Sequence, residues 1–255
     1  MKINIEEAKE EFIKYTENFN TKDKNVKRKQ QHSIRVMKIA EQIATNLKLS
    51  EEQIQLATLI GLLHDIGRFK QYTDIGLGNN LEGFDHGDYG TKLLFKEGLI
   101  RKFIETNKYD EIIKKSIKNH NKFSIEAGLT QEELLFAKLI RDADKTDIFY
   151  LLIIGEEKTI WETDNMNNEI VTNEIYREFI ENKHINYKNI ETSGDILVAH
   201  FAYIYYLYFK PTLRIFKDKR YIDQLYNRFN FTNKDTAEKF KVIHEKAKQY
   251  IEEKG

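Results

Sequence analysis

The stretch Leu59-Ile60-Gly61-Leu62-Leu63-His64-Asp65-Ile66-Gly67-Arg68-Phe69 places an ionisable pair inside an otherwise apolar helical run. Burying an imidazole or a carboxylate without a partner is costly, and an unpaired charge costs far more. A divalent metal ion removes this cost, because neutral imidazole and carboxylate are common ligands for such ions. His64 and Asp65 therefore predict a metal site at the end of a helix.

The composition favours an all-α protein. The chain of 255 residues has one proline and many Lys, Glu, Ile and Leu residues, which favour long helices over strands. Its 41 Lys and Arg residues balance its 41 Asp and Glu residues, so no net charge attracts nucleic acid or an anionic membrane. The absence of cysteine excludes a disulfide scaffold, a thiolate zinc site and cysteine catalysis, so any metal site must use His, Asp or Glu.

Two capping-box sequences mark helix starts that lead to ionisable residues. Ser50 begins the predicted helix that carries His64, and Thr130 begins one that runs to Asp144 and beyond. Acidic residues inside this second apolar helix repeat the anomaly seen at His64 and Asp65. Asp142 and Asp147 either orient metal ligands or lie on the helix surface, and the sequence leaves both alternatives open.

Two more histidines occupy inward-facing positions of predicted helices. His32 begins the apolar line of a helix over about 29–47, and His120 ends the apolar face of a helix over 110–121. Between Tyr72 and Gly90 the chain contains five of its twelve glycines together with His86. We expect this glycine-dense loop to form a pocket rim or lid.

The order H…HD…H…H…D, with the local contexts LLHDIGR and RDADK, resembles the HD superfamily of metal-dependent phosphohydrolases over about residues 30–150. The resemblance implies a compact helical bundle with the site at its centre. We expect a single all-α domain over 1–255, with an HD core over about 25–155 and additional C-terminal helices over about 156–255.

The resemblance also implies a ligand set. Its core metal ligands are His32, His64, Asp65 and Asp144. In members with two ions Asp65 bridges them, and His86 and His120 complete the second position. The alternative is a single ion, with His86 and His120 contacting substrate. Asp65 is the residue to which we assign the catalytic role.

These ligands set the expected chemistry. Nitrogen and oxygen donors suit Fe, Mn, Co, Ni or Mg, and a pair of such ions activates water for attack on phosphorus. Arg68 and Lys145 are the cations placed best to bind phosphate oxygens. The implied substrate is a small phosphorylated molecule, with a nucleotide as the expected class. Family relatives act on nucleoside monophosphates, deoxynucleoside triphosphates, dinucleoside polyphosphates and cyclic dinucleotides.

Two other functions stay open. One is a di-iron oxygenase with a similar ligand pattern, and the other is a non-catalytic nucleotide sensor that uses residues 156–255 to contact a partner. The apolar, aromatic run over 196–209 predicts a buried core helix, is too short to span a bilayer and leaves room for a homodimer interface. The acidic, amphipathic first residues lack the features of a secretory signal, so we expect a cytoplasmic protein.

Overall fold

The computed structural model describes residues 3–19, 23–74, 84–181 and 185–255. Within these ranges the regular secondary structure is entirely helical, which confirms the predicted all-α class. Gly76, Gly78 and Gly83 of the glycine-dense loop lie outside the described residues, so the lid function of that loop stays a prediction. No helix of the described ranges is long and apolar enough to cross a membrane.

The helices group into two compact units, Met1–Asp147 and Ile148–Gly255. The first unit contains, in chain order, α1 Ile5–Glu17, α2 Lys24–Asn46, α3 Glu51–Leu63, α4 Ile66–Asp74, α5 His86–Thr91, α6 Asp110–Asn119 and most of α7 Gln131–Ile154, together with a π-helix Lys92–Lys96 and a 3-10 helix Leu99–Lys102. The prediction of one domain over 1–255, with a helical extension from about 156, stays a prediction.

Local hydrogen bonds at the helix starts confirm both predicted capping boxes. The Ser50 hydroxyl accepts from the backbone N–H of Gln53, and the Gln53 side chain accepts from the backbone N–H of Ser50. Thr130 and Glu133 make the same reciprocal pair at the start of α7. These bonds satisfy N–H groups that a helix start would leave unpaired. They fix the start of the two helices that lead to His64 and Asp144.

The core of the first unit lies between α2 and α3, which pack along each other. Both helices direct fully buried apolar side chains into this interface, including Val36, Ala40, Ile43, Leu59 and Leu63. Helix α3 also contacts α1 and α6, and α5 contacts α4 and α6. This packing surrounds the C-terminal end of α3, where His64 and Asp65 lie.

The second unit has its own aromatic core. Its remaining helices are α8 Glu157–Trp161, α9 Asn173–Ile180, α10 Ser193–Phe201, α11 Lys210–Asp218, α12 Tyr221–Tyr226 and α13 Lys234–Lys254, with 3-10 turns at Met166–Asn168, Tyr187–Asn189 and Ala202–Tyr206. Phe149 packs on Phe216 with ring centroids 4.9 Å apart, and Phe201 packs on Phe240 at 5.3 Å. Burial of such rings stabilises the core of this unit.

Two predicted elements are wrong in detail. The single helix expected over 196–209 ends at Phe201 and tightens into a 3-10 turn, and the chain is extended at Leu207 and Phe209 before α11 begins. Pro211 lies in the first turn of α11, where its missing N–H group needs no partner within the helix. His86 is the first residue of α5 and not part of a loop. The Asp85 carboxylate accepts the backbone N–H of Asp88 and caps this short helix.

Candidate metal centre

Close packing of α2 and α3 brings His32 and His64 together. A Cβ atom added to Gly61 would lie 2.9 Å from the Cα of Met37, so only glycine permits this approach of the two backbones. The Nε2 atoms of His32 and His64 are 3.2 Å apart, and both side chains are almost completely buried. Residues 32 positions apart in sequence thus share one site.

Asp144 of α7 completes the first cluster. Its Oδ1 atom lies 3.1 Å from His32 Nε2 and 3.6 Å from His64 Nε2. These three side chains form a group whose ligand atoms all lie within 4.8 Å of one another. Asp142, one of the two acids left open by the sequence, is fully buried and therefore not on the helix surface.

The Asp65 carboxylate lies between two sets of histidines. Its Oδ2 atom is 3.6 Å from His32 Nε2 and 3.7 Å from His64 Nε2. Its Oδ1 atom is 3.4 Å from His86 Nε2 and 3.6 Å from His120 Nε2. His64, Asp65 and His120 form a second group with metal-ligand spacing. Each oxygen of one carboxylate therefore faces a different pair of imidazoles.

His86 and His120 approach each other from α5 and from the end of α6, with their Nε2 atoms 3.0 Å apart. Gly67 permits this approach, since a Cβ atom there would lie 2.5 Å from the carbonyl oxygen of His86. The glycine that follows the His-Asp pair in LLHDIGR thus has a steric role. It lets the backbone of α5 pass directly against the turn that carries Asp65.

Hydrogen bonds to oxygen atoms at Nδ1 orient His32, His64 and His120, and the side-chain amide of Asn121 lies 3.3 Å from Nδ1 of His86. His64 Nδ1 donates to the carbonyl oxygen of Gly61 at 2.8 Å, and His120 Nδ1 donates to that of Ile117 at 2.7 Å. His32 Nδ1 lies 2.6 Å from a carboxylate oxygen of Asp147. A neutral ring that donates through Nδ1 has an unprotonated Nε2, which is the atom that faces the site in each case.

This donor set fits a divalent metal ion. Metal–ligand bonds to His and carboxylate are about 2.0–2.2 Å long, so ligand atoms around one ion stand about 3 Å apart. Neighbouring ligand atoms lie 3.0–3.7 Å apart, from His86 Nε2–His120 Nε2 at 3.0 Å to His64 Nε2–Asp65 Oδ2 at 3.7 Å, which agrees with that spacing. Neutral Nε2 atoms at such distances repel one another unless a cation lies among them. His32, His64, Asp65, His86, His120 and Asp144 are therefore the residues that could hold metal.

Electrostatics at the site keep its carboxylates ionised. Burial alone would raise the pKa of Asp65, but the charge of the adjacent Lys29 holds it well below its usual value. Burial likewise opposes ionisation of Asp144, but the Nε2 atoms of His32 and His64, when they carry a proton, lower the pKa of Asp144 well below its usual value. Burial lowers the pKa of His86 to about 2, so this ring is neutral. Ionised carboxylates and neutral imidazoles are the forms that bind metal.

Asp147 orients His32. The sequence left open whether Asp147 orients a metal ligand or lies on the helix surface. Asp147 is buried, which excludes the surface position. Arg35 donates to both of its oxygens, from Nε at 2.6 Å and from Nη2 at 2.9 Å. This two-point contact fixes the carboxylate that accepts from His32 Nδ1. Arg35 lies one turn after His32 on α2, a spacing that could have indicated its proximity.

Lys29 and Arg68 both contact Asp65, and sequence reasoning missed Lys29, the nearer of the two. Lys29 Nζ is 2.8 Å from Asp65 Oδ2, and Lys29 precedes His32 by one helical turn. Arg68 Nε is 3.9 Å from Asp65 Oδ1, and the same side chain donates to Gln71. Burial, assisted by the charge of Arg141, lowers the pKa of Lys145 to about 8.

When the sequence is compared with known proteins, the match is to a model of a protein family. Residues 30–148 match the family model described as "HD domain". No curated protein and no solved structure matches the chain significantly. The matched residues include all six candidate ligands, and the helical fold agrees with the family. Residues 30–148 of this chain are therefore similar to the HD-domain family.

Proposed function

We propose that this chain is a hydrolase that uses a pair of divalent metal ions to cleave a phosphate ester or anhydride, with a nucleotide as substrate. One observation carries the proposal. The two oxygens of the buried Asp65 carboxylate face different histidine pairs, His32 with His64 and His86 with His120. A carboxylate between two ligand groups is suited to bridge two ions.

The ligand assignment follows from these distances. His32, His64 and Asp144 would hold the first ion together with Asp65, and His86 and His120 would hold the second with the same carboxylate. When bound, such a pair of ions lowers the pKa of a coordinated water and neutralises charge on a phosphoryl oxygen. The chain supplies the orientation of the ligands, through the hydrogen bonds at the Nδ1 atoms of His32, His64 and His120.

The cations bind the remaining oxygens of the substrate phosphate. Lys29 is only partly exposed and contacts Asp65, so its ammonium group is directed at the site and can exchange the carboxylate for a phosphate oxygen. Arg68 offers a planar guanidinium on the other side of Asp65. Lys145 adds a third cation beside Asp144. These positively charged side chains favour an anionic, phosphorylated substrate over a neutral one. Their presence therefore supports phosphate hydrolysis as the reaction.

The test uses the full chain, stripped of metal by a chelator and reloaded separately with Mn, Fe, Co, Ni or Mg. Phosphate release is measured without oxygen on nucleoside mono- and triphosphates, dinucleoside polyphosphates, cyclic dinucleotides and p-nitrophenyl phosphate. We expect hydrolysis of at least one class with at least one metal, and its loss in Asp65→Asn. Asp223→Asn, which changes a carboxylate of the second unit paired with His244, is the matched control and should retain activity.

Three results would contradict the proposal. A folded, metal-loaded protein that hydrolyses no substrate class argues against a hydrolase. Oxygen consumption coupled to substrate loss would indicate a di-iron oxygenase instead. Tight nucleotide binding without turnover would indicate a sensor module. The cytoplasmic location and the homodimer stay predictions.

A further inference from the structure

Arg141 is buried in the first unit and holds a turn of the chain through three backbone carbonyls. Its Nη1 atom donates to the carbonyl oxygens of Asn119 at 2.8 Å and Lys122 at 2.6 Å, and its Nη2 atom donates to that of Phe123 at 3.2 Å. Only 4% of Arg141 is exposed. Helix α6 ends at Asn119, where the last carbonyls lack partners within the helix, and a cation there is favourable.

Residues 119–123, which we call the α6 turn, carry His120. Its ring is oriented by the hydrogen bond from Nδ1 to Ile117, and its Nε2 atom lies 3.6 Å from Asp65 Oδ1. Arg141 donates to backbone carbonyls on both sides of His120, those of Asn119, Lys122 and Phe123. The direction of the ring therefore depends on a backbone segment that the guanidinium holds in place.

The α6 turn also holds the start of α5. Asn121 Nδ2 lies 3.1 Å from Asp85 Oδ1 and 3.3 Å from His86 Nδ1. Lys122 pairs with Asp85 and, at 2.7 Å, with Asp88. His86 is the first residue of that helix. The positions of both His86 and His120 are thus linked to Arg141 through one turn.

The other ligand group is oriented independently of the α6 turn. His32 is held by Asp147, and His64 is held by the carbonyl of Gly61. Asp144 lies on the same helix as Arg141, three residues further on, and its placement follows from α7 itself. A change at Arg141 should therefore affect one ligand group and spare the other.

We infer that Arg141 is a positioning residue, which sets His86 and His120 against Asp65 and so determines how tightly the second metal position is occupied. This inference rests on the two-ion assignment of the proposed function. Lysine cannot replace arginine here, because an ammonium group lacks the planar fork that reaches three carbonyls at once. Loss of a residue that supports metal ligands lowers metal affinity by about 10–100-fold.

The test compares Arg141→Lys with wild type and with Arg101→Lys. Arg101 is a matched control, because its guanidinium also donates to backbone carbonyls of a loop in the first unit, those of Ile104, Glu105 and Thr106, and none of these holds a candidate ligand. Metal content and affinity are measured by titration with Mn²⁺, and hydrogen exchange reports on the amides of the α6 turn.

We expect wild type and Arg101→Lys to bind two ions. Arg141→Lys should keep the first affinity, lose about 10–100-fold in the second, and exchange the amides of residues 119–123 faster. Lys122→Gln, a change of a partly exposed residue that should leave the fold intact, removes the ion pairs with Asp85 and Asp88 but keeps the Asn121 contacts with α5, and should weaken binding of the second ion by a smaller factor.

A folded Arg141→Lys variant with two unchanged affinities and unchanged exchange would overturn the inference. If Arg141→Lys does not fold, unchanged second-ion affinity in Lys122→Gln overturns it instead. A wild type that binds fewer than two ions contradicts the two-ion assignment and not the role of Arg141. In that case the exchange data decide: faster exchange confined to the α6 turn supports the positioning role, and unchanged exchange refutes it.

Discussion

The Nε2 atoms of His32 and His64 lie 3.2 Å apart, although each ring already donates through its Nδ1 atom. Two neutral rings in this state turn lone pairs toward each other, and the carboxylate of Asp144 lies 3.1 Å from His32 Nε2. A cation among the two Nε2 atoms and the carboxylate oxygen would stabilise this arrangement, because all three carry lone pairs that otherwise repel one another. Burial would lower the pKa of His32, but Asp144 and Asp147 raise it above its ordinary value. In the absence of metal, a proton on His32 Nε2 can therefore supply the positive charge.

Metal binding should therefore stabilise the fold. At 100 times the dissociation constant, an ion that binds only the folded chain adds about 2.7 kcal/mol to the free energy of unfolding. We expect Mn²⁺ to raise the melting temperature of wild type and a chelator to reverse the change. His64→Ala should abolish most of this response, while His244→Ala, in the second unit, should leave it unchanged. Equal responses in both variants would argue against His64 as a ligand.

Asp147→Asn tests how strongly the orientation of His32 matters. Arg35 donates to both carboxylate oxygens of Asp147, whereas the asparagine side chain has only one oxygen. The asparagine side chain also lacks the negative charge that favours a proton on His32 Nδ1. We expect metal affinity to fall about 10–100-fold, measured by titration of the metal-free protein. The matched control is Asp223→Asn, since Asp223 also pairs with a histidine, His244, at 2.8 Å. A similar loss in both variants would point to a general effect of removing a carboxylate.

Much of the site could be predicted from the sequence because burial constrains ionisable residues. Helical periodicity gives the inward face on which His32, His64 and His120 lie, and a buried ionisable group requires a partner. The structure brings these residues together with Asp65, His86 and Asp144. Their roles as ligands stay a proposal that the metal titrations test.

Partners across the fold could not be predicted. Periodicity assigns Asp147 to a face of α7, but it does not show that His32, 115 positions earlier, is the group it meets. The same holds for Lys29 with Asp65 and for Arg141 with the α6 turn. Such pairings depend on how helices cross, and that depends on the summed packing of many side chains.

Gly61→Ala should destabilise the first unit. The added Cβ would lie within about 3 Å of the Met37 Cα, the Ala40 Cβ and the Val36 carbonyl, of which two are backbone atoms that cannot turn aside. We expect a loss of about 1–3 kcal/mol in the free energy of unfolding and weaker metal binding, because α2 and α3 separate. Gly90→Ala is the control: its nearest contacts are ordinary, at 3.5 Å or more, and alanine is the better helix former. Denaturant unfolding of the two variants measures the difference.

The second unit should lose stability in mild acid because of His200. Trp161 Nε1 donates to His200 Nδ1 at 3.1 Å, so this nitrogen must stay unprotonated, and burial lowers the pKa of His200 from 6.5 to about 4. The unfolded chain therefore binds a proton before the folded one does. The stabilisation is complete above about pH 6.5 and is lost as the pH falls toward 4, by about 2–3 kcal/mol.

His200→Asn removes the titrating group and keeps an acceptor for Trp161, which isolates this effect from the acid titration of carboxylates elsewhere. The free energy of unfolding is measured by urea denaturation of wild type and variant at several pH values from 7.5 to 4. We expect the difference between the two curves to shrink as the pH falls, since only wild type loses the contribution of a neutral His200. Parallel curves would mean that His200 has the same pKa in the folded and unfolded chain, and burial would then not govern its protonation.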